Sequence, residues 1–189
     1  QHLQGEYEYP NTIKSGTEID HSYFINPHKV LYLSNPFAGD GIFRDVDVEC
    51  PVILDCTYIS STDKQIINVP QNTEQVFFSF SKGFGLIGQR LGLVYTKEPH
   101  KSLHTLKGFE NWNYTGPKVI DYVMSNYKVD TMWNRYREKQ IKICNDYGFE
   151  PSDCFFLAIT RDKYYRRRRR MKYNDNARIC ITPLFDEYK

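Results

Sequence analysis

Short continuous apolar runs recur through the first half of the chain, each closed by polar or turn-forming residues. They are Val30-Leu31-Tyr32-Leu33, Val52-Ile53-Leu54, Val76-Phe77-Phe78 and Leu91-Gly92-Leu93-Val94-Tyr95. Runs of this length without polar alternation predict strands buried on both faces, as in a parallel or mixed sheet flanked by helices. From Val129 the period changes. Val129, Met132, Trp133, Tyr136, Gln140, Ile143, Cys144 and Tyr147 recur at three- and four-residue spacing. That pattern predicts an amphipathic helix with Asp130 as its N-cap and Gly148 as its stop. Residues 113–126 predict an earlier helix, with Pro117 suited to its first turn. Two further strands are expected at 154–160 and 177–181, joined by an arginine-rich connection. The whole reads as an α/β fold with a mostly parallel sheet and flanking helices. A boundary is expected near residues 97–110, with a sheet domain over 1–105 and a small α+β domain over 106–189.

Composition changes this picture little. Of 189 residues, 25% are charged and 40% hydrophobic, an ordinary globular balance. No apolar run approaches the ~20 residues that a membrane helix needs. The opening QHLQGEYEYPN is polar and shows no secretory signal pattern; the cytoplasm is the expected compartment because the cysteines, odd in number and several of them inside apolar runs, favour a reducing environment. The five cysteines include no C-x-x-C pair, which argues against a zinc site or a disulfide framework. The five histidines carry no ligand spacing. A net charge of +2 argues against a polyanion binder, leaving Arg166 to Arg170 as a local exception. Between two expected strands, such a run reads as a solvated hairpin or loop rather than a nucleic-acid site.

Candidate chemistry gathers where three strands end. The first runs into Ser34-Asn35-Pro36, the second into Asp55-Cys56-Thr57-Tyr58, and the third into Ser79-Phe80-Ser81-Lys82. Ligands bind open α/β sheets at the carboxyl ends of the strands. An aspartate directly after Val-Ile-Leu costs stability unless its charge is used there.

These residues carry a resemblance. Ser79-Phe80-Ser81-Lys82, followed by Gly88-Gln89-Arg90-Leu91-Gly92, resembles the lysine signature of class I aminotransferases, which are fold type I pyridoxal-phosphate enzymes. Asp55 and Tyr58 match that family's Asp-x-x-Tyr, and Asn35-Pro36 its Asn-Pro. Arg178 resembles the arginine of a late strand that holds the substrate carboxylate. The resemblance implies the sheet of the family's large domain and pyridoxal 5'-phosphate as cofactor. It makes Lys82 the catalytic residue, forming the Schiff base and then moving the α-proton. Asp55 would pair with the pyridine nitrogen, and Tyr58 and Asn35 would hydrogen-bond the phenolic oxygen. Ser79 and Arg90 would hold the phosphate, and Arg178 the carboxylate of an amino acid or 2-oxo acid.

The family's long stretch before the region resembled by Gly5-Glu6-Tyr7-Glu8-Tyr9 has no counterpart here. Tyr7 or Tyr9 is the candidate for its ring stacked on the cofactor. Family members build active sites at a dimer interface, so a homodimer is implied. Three functions stay open: an aminotransferase, a lyase, decarboxylase or racemase using the same cofactor, and a non-catalytic binding or assembly relative.

Overall fold

The computed structural model describes residues 30–44, 49–64, 67–99, 101–110, 113–162, 172–173 and 176–188. Tyr7, Tyr9 and the run Arg166 to Arg170 lie outside the described residues. The first four strands fall on the four apolar runs. They are β1 (Leu31–Ser34), β2 (Val52–Asp55), β3 (Thr73–Ser79) and β4 (Gly92–Thr96), hydrogen-bonded in the order β1-β2-β3-β4. β1, β2 and β3 are mutually parallel, and β4 returns antiparallel beside β3. In this register Ser34 lies opposite Asp55, and Asp55 opposite Phe77. The polar tails of all three parallel strands therefore emerge at one edge of the sheet.

The expectation that both faces are buried needs correction. Leu31, Leu33, Val52 and Leu54 are buried and pack with Cys50, Cys56 and Ile59. Tyr32, Ser34, Ile53 and Asp55 are only half-buried. Side chains alternate across a strand, so these four share the second face. A phenol, a hydroxyl and a carboxylate there need hydrogen-bond partners and cannot be sealed as the first face is.

Helices α1 (Lys101–Gly108), α2 (Thr115–Asn126) and α3 (Thr131–Tyr147) follow. The second and third match the predicted helices. The first falls in the expected boundary, and all of its residues are exposed. With only Leu103 and Leu106 at helical spacing, its sequence shows too little period to be seen. α3 stops as expected: Gly148 has φ 67° and donates its N–H to the Cys144 carbonyl. Asp130 stands at the N-cap position without capping a first-turn N–H; its carboxylate accepts from the Asn134 amide at 3.0 Å instead.

A second, antiparallel sheet closes the fold. It contains β5 (Glu150–Pro151), β6 (Leu157–Thr160), β7 (Lys172–Tyr173) and β8 (Asn176–Cys180), in the order β5-β6-β8-β7. α3 packs on it through Ile143 and Cys144, against Phe155, Ala158, Ile179, Ile181 and Phe185. The Tyr136 ring stacks on both Phe155 and Phe185, with centroids 5.4 and 5.2 Å away. β6 begins three residues later than the apolar pattern suggested, because Cys154 to Leu157 form a turn closed by Leu157 N–H to Cys154 O at 2.9 Å. Gln140, fully buried on α3, secures that turn. Its Nε2 donates to the carbonyls of Ser152, Cys154 and Leu157, and its Oε1 accepts from Arg137. A buried amide is tolerated because its bonding capacity is met.

The two sheets are joined by polar contacts. Ser152 Oγ donates to Gly41 O at 3.0 Å, the Phe43 N–H to Asp153 Oδ2 at 2.8 Å, and the Phe155 N–H to Ser61 O at 2.9 Å. Gly41 has φ 75°, and a Cβ there would lie 2.3 Å from Ser152 Oγ. The loop after β1 and the turn after β2 are thereby fixed against the second sheet.

Candidate functional site

Asp55 ends β2 with its carboxylate held at both oxygens. The Thr57 N–H donates to Oδ1 at 2.9 Å, a local turn of the kind aspartate favours. Tyr32 Oη donates to Oδ2 at 2.5 Å, reaching diagonally across the β1–β2 pair. Tyr32 escaped the sequence reading because it sits inside an apolar run. Alternation could have found it, since it shares a face with Ser34, and Ser34 lies opposite Asp55.

Three residues on, Tyr58 leads into a short 3-10 turn, Ile59–Ser61. Ser60, Ser61 and Thr62 are fully buried there. Their hydroxyls donate to Ser79 O, Tyr58 O and Ile59 O respectively. The Tyr58 ring sits edge-on to Phe156, centroids 5.5 Å apart. Its Oη accepts from Arg178 Nη1 at 3.0 Å. Burial pushes the Tyr58 phenol above its ordinary value; the Arg178 guanidinium pulls against this, and the nearby Cys154 and Asp55 reinforce it. Arg178 Nη1 also donates to the Ala38 carbonyl in the loop after β1. One guanidinium from β8 thus joins the ends of β1 and β2, 140 and 120 residues earlier in the chain.

Lys82 approaches the same tyrosine. Its Nζ lies 5.7 Å from the centre of the Tyr58 ring, and the residue is exposed. The loop that carries it is anchored on either side. Phe80 is buried, the Ser81 N–H donates to Ser79 Oγ at 3.1 Å, and a Cβ on Gly83 would lie 2.1 Å from the Ser60 carbonyl oxygen. Only glycine lets this loop press so closely on the turn after Tyr58. Arg90 is exposed at the end of the Ile87–Gln89 turn, in the left-handed region at φ 53°. Ser79, at the end of β3, pairs with Gly92.

The structure therefore connects Asp55, Tyr58, Lys82 and Arg178, and adds Tyr32. Ser79 and Arg90 flank the lysine loop at the base of β3 and β4. Asn35 is at the expected edge, where its amide donates one N–H to Arg44 O at 2.9 Å and accepts from the Arg44 N–H at 3.1 Å. Its side chain braces the loop after β1. Among the described residues, no group of three or more His, Cys, Asp or Glu is placed to hold a metal ion. None of the described helices is long and apolar enough to cross a membrane.

No protein-family model matches the chain, and no curated protein does. Solved structures do. The L-threonine-O-3-phosphate decarboxylase of Porphyromonas gingivalis is similar over 91% of this chain, at 17% identity and a TM-score of 0.56. A putative histidinol-phosphate aminotransferase from Erwinia carotovora atroseptica is similar over 85%, at 18% identity and a TM-score of 0.58. An aminotransferase from Staphylococcus aureus is similar over 85%, at 12% identity and a TM-score of 0.56. The chain spans 63%, 57% and 56% of those three chains. At these identities the likeness is one of fold: the chain resembles fold type I aminotransferases and related enzymes, as its lysine-loop motif implied.

Proposed function

We propose that this chain carries the cofactor-binding part of a pyridoxal-phosphate-dependent aminotransferase, which moves an amino group between an α-amino acid and a 2-oxo acid. One observation carries the reading. An amine, a phenol, a carboxylate and a guanidinium from three separate segments gather at the carboxyl edge of the parallel strands, with Tyr58 between Lys82 and Arg178. The donor set fits the cofactor. Asp55 offers an anchored carboxylate to a protonated ring nitrogen, Tyr58 a hydroxyl to the phenolic oxygen, and Ser79 and Arg90 a hydroxyl and a charged fork to the phosphate.

Pyridoxal phosphate, when bound, supplies an electron sink for negative charge developing at a substrate α-carbon. The remaining work belongs to the chain. Lys82 Nζ takes the α-proton and returns it, and exposure at the mouth of the site leaves it free to swing between positions. Arg178 uses Nη1 on Tyr58 and Ala38, leaving Nε and Nη2 for the substrate carboxylate. Because the same guanidinium touches Tyr58, carboxylate binding and the hydrogen bond to the phenolic oxygen act through one group. The protein works in the cytoplasm as a homodimer, the second copy completing the phosphate and substrate pockets.

A decarboxylase is the second reading, favoured by the likeness to the P. gingivalis enzyme. It uses the same cofactor-holding residues and differs in which substrate bond is aligned for cleavage. Titrating purified protein with pyridoxal phosphate tests what the two share. The wild type is expected to develop a visible band that Lys82→Ala lacks. A folded wild type without that band contradicts both readings. Amino-acid mixtures then separate them, since transfer leaves a new amino acid and decarboxylation releases carbon dioxide.

A further inference from the structure

We infer that Tyr32 is a positioning residue for the Asp55 carboxylate, setting how Asp55 meets the cofactor's ring nitrogen; this deepens the proposed function and rests on it. The observation is the two-point hold. Oδ1 is fixed by the Thr57 N–H at 2.9 Å and Oδ2 by Tyr32 Oη at 2.5 Å. The first bond is local and tethers the carboxylate only to its own turn. The second comes from a neighbouring strand, 23 residues earlier, and fixes the carboxylate plane relative to the sheet.

A carboxylate has about four lone-pair sites. Two donors leave the others for a ring nitrogen, and they stop the group from rotating about its last bond. Tyr32 can act this way because of register. It lies opposite Ile53, one alternate position before the Ser34–Asp55 pair, so its ring crosses a single diagonal step on the shared half-buried face. A phenylalanine would fill the same space and keep the face apolar. What the hydroxyl adds at this site is the bond to Asp55.

The test compares Tyr32→Phe with a near-isosteric fluorotyrosine at position 32, reading the dissociation constant of pyridoxal phosphate and the visible spectrum of the bound form. Tyr32→Phe is expected to weaken binding about tenfold, the scale of one charge-assisted hydrogen bond, and to shift the band. The fluorotyrosine variant, which keeps the hydroxyl, should restore both to within about twofold of wild type. Melting temperatures of the cofactor-free proteins serve as the folding control. Wild-type affinity and spectrum in Tyr32→Phe overturn the inference alone. So does a loss of affinity that follows the melting temperature with an unchanged spectrum. A wild type that takes up no cofactor overturns the proposed function and this inference together.

Discussion

Asp55 and Lys82 stand at the same edge of one sheet, yet they are held in opposite ways. Asp55 is half-buried, with one carboxylate oxygen bonded to the backbone of its own turn and the other to a side chain of the neighbouring strand. Lys82 is exposed, with its Nζ over the face of the Tyr58 ring. Rigidity in its loop comes from residues beside the lysine: buried Phe80, the Ser79–Ser81 turn and Gly83 against Ser60. The contrast suits the two tasks proposed for them. A group that fixes a charge should not move, and a group that carries a proton between positions must.

The sharpest way to break the comparison is at the two residues themselves. Lys82→Ala should abolish the visible band entirely and leave the melting temperature within a few degrees of wild type, because the exposed side chain supports little of the fold. Asp55→Ala should do both: cofactor affinity falls, and the protein loses stability, since the bonds from Tyr32 Oη and the Thr57 N–H to the carboxylate are removed. Denaturation curves beside cofactor titrations separate the two patterns. Equal loss of stability in both variants would erase the distinction.

A smaller effect is expected one residue beyond the lysine. At Gly83→Ala the new Cβ meets backbone, which cannot rotate away, so the loop must lift from the Tyr58 turn. A loss of about 2–3 kcal/mol in urea unfolding is expected, as for other overpacked sites. Arg178→Gln removes the charge that pulls the Tyr58 phenol down. Tyr58 should then titrate at still higher pH than in wild type, as followed by the ultraviolet absorbance of tyrosinate. In an active preparation, the Michaelis constant for the amino acid should rise more than the turnover number falls.

The smallest effect concerns the buried thiols. Burial raises Cys56 and Cys154 from 9.0 to about 12. Above pH 9 the unfolded chain gives up these protons while the folded chain keeps them, so unfolding gains. Their contribution is complete below pH 9 and is lost as pH rises towards 12. The urea midpoint should therefore fall between pH 8 and pH 10, and fall less in Cys56→Ala. A flat midpoint would contradict this.

How far the sequence speaks differs between the same two residues. Lys82 is named by a contiguous string, Ser79 to Gly92, whose glycines and arginine keep fixed offsets. The Asp55 support was only half legible. Asp55 and Tyr58 announced themselves by chemistry and spacing, whereas Tyr32 was read as one more apolar residue, its role depending on strand register that no local pattern gives. Asn35 shows the reverse case: its motif named it, and its amide also holds the Arg44 backbone in the loop after β1, a contact that the motif does not announce. Period also set the limits for the elements. α3 has enough turns to declare itself, while α1 does not.

The central claim is that Lys82 is the residue on which the cofactor is carried. The direct measurement is to incubate the protein with pyridoxal phosphate, reduce with borohydride, digest it and map the added mass by peptide sequencing. The account predicts one stoichiometric adduct on the peptide containing Lys82, absent from Lys82→Ala. Adducts scattered over surface lysines, with Lys82 unmodified in a folded protein, would contradict it.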